Sequence, residues 1–290
     1  MTRMLFCMFC MFWLCLVGPA FAESRCAQDS LHLAMIPKKD IDRQITEYQP
    51  LITLLGQELS LPVRVFRATS YESVIDAVVS GGVDLAVLGP ASYALAWARN
   101  PDIEAFASLT LHQGYFTPAG GYYQALLLVR SDSGIDGLSQ TRGLRVALND
   151  LASTSGALIP NREFPYAVGV GLARFFGAQV YTGSHDKSLD ALLAGRVDAA
   201  FVSSARADEY LRRGLLDEHT LRVLWSSQPI HYDPFVFRAG LCEELKQPIR
   251  ELLLSANPAL SGFLASQQAA ALTTVSHEDY LPLIQLLAEE

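Results

Sequence analysis

SYESVIDAVVSGGVDLAVLGPA, residues 70–91, lines up without a gap on SHDKSLDALLAGRVDAAFVSSA, residues 184–205, at an offset of 114. Eight of the 22 aligned pairs are identical, among them Ser70/Ser184, Asp76/Asp190, Gly81/Gly195, Asp84/Asp198 and Ala91/Ala205. Each copy opens on a serine at an N-cap position, runs through apolar residues at helical spacing, and ends at a glycine. A short Val/Ala/Leu run follows, as in a buried strand. A gapless helix-strand repeat at this distance predicts two similar α/β lobes. Two lobes enclose a cleft, and clefts between lobes are where small molecules bind.

The rest of the chain fits that plan. Apolar strands are predicted at 31–36, 63–68, 122–129, 144–148, 178–182, 221–225 and 234–238, with helices between them and closing helices at 243–255 and 277–290. The two ends of the chain form one lobe, residues 23–128 and 229–290, and the middle, residues 129–228, forms the other. Strand segments near Leu128 and Pro229 are expected to serve as the hinge. No Pro/Gly-rich linker separates the lobes.

Residues 1–22 read as a cleaved export signal. Arg3 precedes an apolar run from Met4 to Val17, and Ala20-Phe21-Ala22 supplies an A-x-A cleavage pattern. The run is short for a membrane span. Cleavage would leave 268 residues, enough for two lobes of roughly 100–150 residues each. It would also leave 21 Lys and Arg against 30 Asp and Glu. An acidic exported protein is a poor nucleic-acid binder, so an anionic ligand would have to be held by local dipoles. Cys26 and Cys242 are the cysteines that survive, and an oxidising compartment allows them to pair.

The motifs ATSYESV, VDLAVLGPASYALA, YYQALLLVRSDSGI, LRVALNDLASTSG, TGSHDKSLDALLAGRVDAAFV and SQPIHYDPFVFR together cover most of the mature chain. In that order they resemble the periplasmic solute-binding proteins of the phosphate/phosphite/phosphonate ABC-transporter family. The resemblance implies a type II binding-protein fold, two α/β lobes each built on a mixed sheet flanked by helices. Such a fold closes on a small phosphorus oxyanion and delivers it to an inner-membrane permease. A monomer is expected, with no cofactor and no metal.

Ser153-Thr154-Ser155-Gly156 lies between a strand and a helix. Hydroxyls and free amides at a helix start form an anion site, and the resemblance places the oxyanion there. Tyr71 and His185 occupy equivalent repeat positions, one residue after each capping serine. Each can donate to an oxyanion from its own lobe. The resemblance adds Tyr93 as a second cleft tyrosine. It also implies acids that meet a ligand amine or a P–OH, here Asp186 and Asp233. Asp84 and Asp198 are symmetric too, but each follows Gly-x-Val and opens a strand, which reads as a strand-edge acid. The six histidines are scattered and no nucleophile, zinc or phosphate-loop motif appears. Capture for an importer is therefore the leading expectation, ahead of a sensory protein of the same fold or an exported enzyme on it.

Overall fold

The computed structural model describes residues 28–288. Residues 1–22 and Cys26 lie outside them. In chain order the strands are β1 (Leu31–Met35), β2 (Val63–Phe66), β3 (Leu85–Val87), β4 (Glu104–Leu111), β5 (Tyr122–Tyr123), β6 (Ala125–Arg130), β7 (Arg145–Leu148), β8 (Ala178–Tyr181), β9 (Ala199–Ser203), β10 (Leu221–Ser226), β11 (Ile230–His231), β12 (Pro234–Phe237) and β13 (Ala269–Thr274). They form one sheet of order β13-β4-β12-β3-β1-β2, a second of order β10-β6-β9-β7-β8, and a ribbon of β11 with β5.

The two sheets share one design. In the first, β1 pairs parallel with β2 and β3, and β12 lies antiparallel to β3. In the second, β7 pairs parallel with β8 and β9, and β6 lies antiparallel to β9. Each sheet thus takes one antiparallel strand from the chain as it crosses between lobes. The 114-residue offset seen in the repeat also carries Leu31, the start of β1, onto Arg145, the start of β7.

The repeat folds alike in both copies. Ser70 caps helix Tyr71–Val79 by accepting from the Ser73 amide, and Ser184 caps helix His185–Leu193 by accepting from the Lys187 amide. Gly81 and Gly195 follow at φ +78° and +67°, a region that side chains disfavour. Val74, Ile75 and Val78 bury one helix against the first sheet, and Leu189 and Leu192 bury the other against the second. A fully buried side chain of this size contributes about 1.5–3 kcal/mol. Asp84 accepts from the His32 amide beside it, and Asp198 from the Arg145 amide. Both acids therefore pin the starts of neighbouring strands.

The first lobe boundary departs from the expected one. β6 pairs with β9 on one side and β10 on the other, so residues 125–130 belong to the second sheet. Leu128 is fully buried opposite Ala200 and Val223, inside the second sheet. The crossover is the β5–β11 ribbon, where Ile230 pairs with Tyr123 and His231 with Tyr122. An apolar strand reads the same whichever sheet it joins, so its composition did not mark the handover. Cys242 is disulfide-bonded. Among the described residues, no helix is long and apolar enough to cross a membrane, and no cluster of His, Cys, Asp and Glu is fit to hold a metal.

Candidate functional site

The C-terminal ends of the central strands face each other across the seam. Loops leave there from β1, β3, β7 and β9, and the last three of these loops lead directly into helices that begin at the seam. A small cavity lies between them. Ile36, Lys38, Tyr71 and Gly89 line it from the first lobe, Ser153–Ser155, His185, Ser203 and Arg206 from the second, and Tyr123, Tyr232 and Asp233 from the crossovers.

Ser153 caps the π-helical turn Thr154–Leu158, its Oγ accepting from the Gly156 amide. The first amides of that turn have no partner within the helix. The turn is tight because Gly156 lies against Asn149; a Cβ there would sit 1.8 Å from Asn149 Nδ2. The freed space lets Asn149 reach His185. Its amide nitrogen is 2.5 Å from His185 Nδ1, and the Ser203 amide donates to the same atom at 3.1 Å. An atom that accepts from a backbone N–H carries no proton of its own. The Ser203 bond assigns the neutral ring's proton to Nε2, which has Asn149 Nδ2 at 3.3 Å and Ser153 Oγ at 3.5 Å. Burial, with Arg206 and Lys38 nearby, holds the imidazole pKa well below its usual value. His185 is a neutral N–H donor at the cavity wall.

Two cations complete the wall. Lys38 Nζ donates to Asp233 Oδ2 at 2.8 Å. Burial opposes its charge, but Asp233 with Tyr232 and Tyr48 raises the ammonium pKa well above its usual value. Arg206 donates to Asp186 Oδ1 at 2.6 Å, which keeps it charged against its burial. Tyr71 is 1% exposed, and its hydroxyl meets no hydrogen-bond partner of proper geometry among the described residues. Burial, with Asp233 close, raises its pKa, so it stays a donor.

The lobes also touch directly. The Ala91 amide donates to Thr154 Oγ1 at 2.9 Å, Ser92 Oγ to the Ala152 carbonyl at 2.9 Å, and the Tyr71 amide to Asp150 Oδ2 at 3.1 Å. The lobes are closed on the cavity.

The model of one protein family, described as the periplasmic phosphonate substrate-binding protein of ABC transporters, matches residues 33–280. The chain belongs to that family. Its relatives include the phosphate-import protein PhnD of Mycolicibacterium smegmatis, 26% identical over 77% of this chain and 71% of that one. The phosphonates-binding periplasmic protein of Escherichia coli is 26% identical over 83% of this chain and 69% of that one. Among solved structures, the binding-protein component of an ABC phosphonate transporter from Pseudomonas aeruginosa superposes with a TM-score of 0.80 at 24% identity, covering 89% of this chain and 85% of that one. PhnD1 of Prochlorococcus marinus, solved with methylphosphonate, superposes at 0.76 and 17% identity, covering 89% and 97%.

In this phosphonate-binding family member the structure brings together Tyr71, Ser153, Thr154, Ser155, His185 and Asp233. Two expected residues stand outside the cavity. Tyr93 lies under its helix, its hydroxyl 3.0 Å from His277 Nδ1 and its ring edge-on to Tyr280. Asp186 is turned away and held by Arg206 and Arg213. Lys38, Tyr123, Arg206 and Tyr232 line the cavity without having been anticipated. One signal was available: the 114-residue offset that maps the first repeat on the second carries the 149–155 loop back onto 35–41, where Lys38 sits.

Proposed function

We propose that the chain is an exported receptor that closes its lobes on a small phosphorus oxyanion (phosphonate, phosphite or phosphate) and presents it to the permease of an ABC importer. The carrying observation is the convergence of donors around the buried Tyr71 hydroxyl, which makes no well-formed hydrogen bond among the described residues and has the Ser153 side chain beside it. Tyr71 shares one small cavity with Lys38, Arg206, His185 and the first turn of Thr154–Leu158. These are donors and positive charges, and they suit an oxyanion although the whole protein is acidic.

Asp233 supports phosphorus over sulfur. Its bond with Lys38 uses Oδ2, which leaves Oδ1 to accept a proton from P–OH. A fully ionised sulfate has no such proton and would meet a bare carboxylate. In this reading residues 1–22 are the signal removed on export to the periplasm. The role in this reading is capture for transport, which the family to which the chain belongs supports.

Calorimetry on protein unfolded and refolded to strip its ligand tests the reading. One-to-one binding of phosphite, methylphosphonate or phosphate, at least about tenfold tighter than sulfate, is expected. Sulfate binding equal to the best phosphorus ligand would overturn the role of Asp233. Failure of every phosphorus oxyanion would overturn the function.

A further inference from the structure

The sequence points to two acids, Asp186 and Asp233, for an amine on the ligand, and the structure leaves at most one of them in place. Asp186 stands outside the cavity proposed to hold the oxyanion, paired with Arg206 and Arg213. Asp233 is the one carboxylate among the residues that line that cavity. It is outnumbered there by two cations, Lys38 from the first lobe and Arg206 from the second. The other lining side chains are neutral, His185 included.

The one carboxylate is already committed. Asp233 Oδ2 accepts from Lys38 Nζ at 2.8 Å, with both side chains largely buried. A second ammonium at Asp233 would stand beside the first, and repulsion between like charges is strong away from bulk water. Arg206 opposes it from the facing lobe. Its bonds to Asp186 run from Nε and Nη2 to the same Oδ1, at 3.2 and 2.6 Å, so that pair does not use Nη1. Arg206 lines the cavity and Asp186 does not, so a ligand group meets the guanidinium and not the acid. Tyr232 lines the cavity with both cations, Lys38 Nζ lying 5.6 Å from its ring centre. The space is small, with about 20 Å³ open to the centre of a water-sized sphere. A charged substituent inside it has little room to stand away from either cation.

We propose that Lys38 and Arg206 set the ligand class of this receptor: they admit phosphorus oxyanions whose fourth substituent is uncharged and turn away phosphonates that carry an amine. The proposal rests on the oxyanion reading above and narrows it. The same two cations that favour the oxyanion oxygens disfavour a positive charge one or two bonds further on. Specificity of this kind comes from an unfavourable contact with the wrong ligand as much as from a favourable one with the right ligand.

Calorimetry with phosphite, ethylphosphonate and aminomethylphosphonate tests this. The two phosphonates have the same heavy-atom skeleton and differ in ending on a methyl or an ammonium group. Aminomethylphosphonate is expected to bind about tenfold or more weakly than ethylphosphonate. Lys38→Met removes one cation and leaves Asp233 Oδ2 to meet the ammonium. Both affinities should fall, so the readout is their ratio, which should move about tenfold toward the amine. Arg206→Gln keeps an amide donor for Asp186 and removes the other cation. It should move the ratio in the same direction, which keeps the test intact if one variant folds poorly. Aminomethylphosphonate binding as tightly as ethylphosphonate in the parent would overturn the charge selection and leave the oxyanion site standing. So would a ratio unchanged in both variants. Phosphite binding with neither phosphonate bound would also overturn it, since size would then set the class. No binding by any of the three would bring down the oxyanion reading and this inference with it.

Discussion

Thr154 Oγ1, in one lobe, accepts a 2.9 Å hydrogen bond from the amide of Ala91, in the other. The donor is in the first turn of helix Pro90–Arg99, beside Gly89, where an added Cβ would come within 3.1 Å of the same hydroxyl oxygen. The threonine therefore has two contacts to test: it lines the cavity proposed to hold the oxyanion, and it bonds one lobe to the other. Thr154→Ala should weaken oxyanion binding about tenfold to a hundredfold, with the fold unchanged. Small-angle scattering gives a second readout. Saturating ligand should shrink the parent's radius of gyration, and the variant should need more ligand for the same change. A variant that binds and closes as the parent does would remove Thr154 from both roles.

How much of this was legible follows from the range of each signal. The repeat is local, so Ser70, Gly81, Ser184 and Gly195 announced their turns, and the hydroxyls before Gly156 announced a helix start. Tyr93 misled because a tyrosine after Gly-Pro is equally good as packing. Three residues further on, Ala96 is also fully buried, so that helix face looks into the core. Tyr123 was missed because it read as one more apolar residue of a single strand over 122–129, which the structure divides into Tyr122–Tyr123 and Ala125–Arg130. Lys38 meets Asp233 across 195 residues, and Arg206 owes its place to an ion pair with Asp186. No local pattern carries such pairings.

Lys38 and Asp233 form a buried pair whose loss can be read two ways. Lys38→Met leaves Asp233 buried without its partner, and such truncations cost about 3–5 kcal/mol. It also removes a cation from the cavity proposed to hold the oxyanion. We expect lower stability in urea and a loss of phosphorus-oxyanion affinity of about a hundredfold. Adding Asp233→Asn should restore most of the stability and little of the affinity. If the double variant regains both, the pair is structural alone.

His185 makes the ligand-free protein sensitive to acid. Burial, Arg206 and Lys38 hold its folded pKa well below its usual value, while in the unfolded chain the ring titrates near about 6.5. Below that pH the unfolded state binds a proton that the folded state does not, so stability falls as pH drops. The contribution is full above about pH 6.5 and declines by up to about 1.4 kcal/mol per unit below it. Urea unfolding at pH 7 and pH 5, parent against His185→Gln, isolates this group from the other titrating residues. The parent should lose more stability than the variant. Equal losses would show a ring that is protonated in the folded protein.

Cys242 is disulfide-bonded and is the one cysteine within residues 28–288. We expect Cys26 to be its partner in the exported protein. The bond would close a loop of over 200 residues, for which chain entropy gives about 5 kcal/mol as an upper figure. Thiol titration of unfolded, unreduced mature protein should find none free. Two free thiols would disprove the pairing.

Gly156 offers the sharpest test of how the site is assembled. A Cβ at this position would lie 1.8 Å from Asn149 Nδ2 and 2.3 Å from its Cγ, so Gly156→Ala must displace the Asn149 side chain. That amide adjoins His185 Nδ1 on one side and accepts from Ser188 Oγ at 2.5 Å on the other. Its displacement should free the imidazole to turn or to change tautomer. We expect a stability loss of about 1–3 kcal/mol from overpacking, together with a fall in oxyanion affinity. The fall separates a positioning effect from simple destabilisation, because the variant can be assayed well below its melting temperature, where it is folded. Gly171→Ala is the control. It sits in the same lobe at φ −65° with open space around it, and should change neither property. If Gly156→Ala binds phosphite or methylphosphonate as tightly as the parent, the Asn149–His185 contact does not set the donor that faces the ligand.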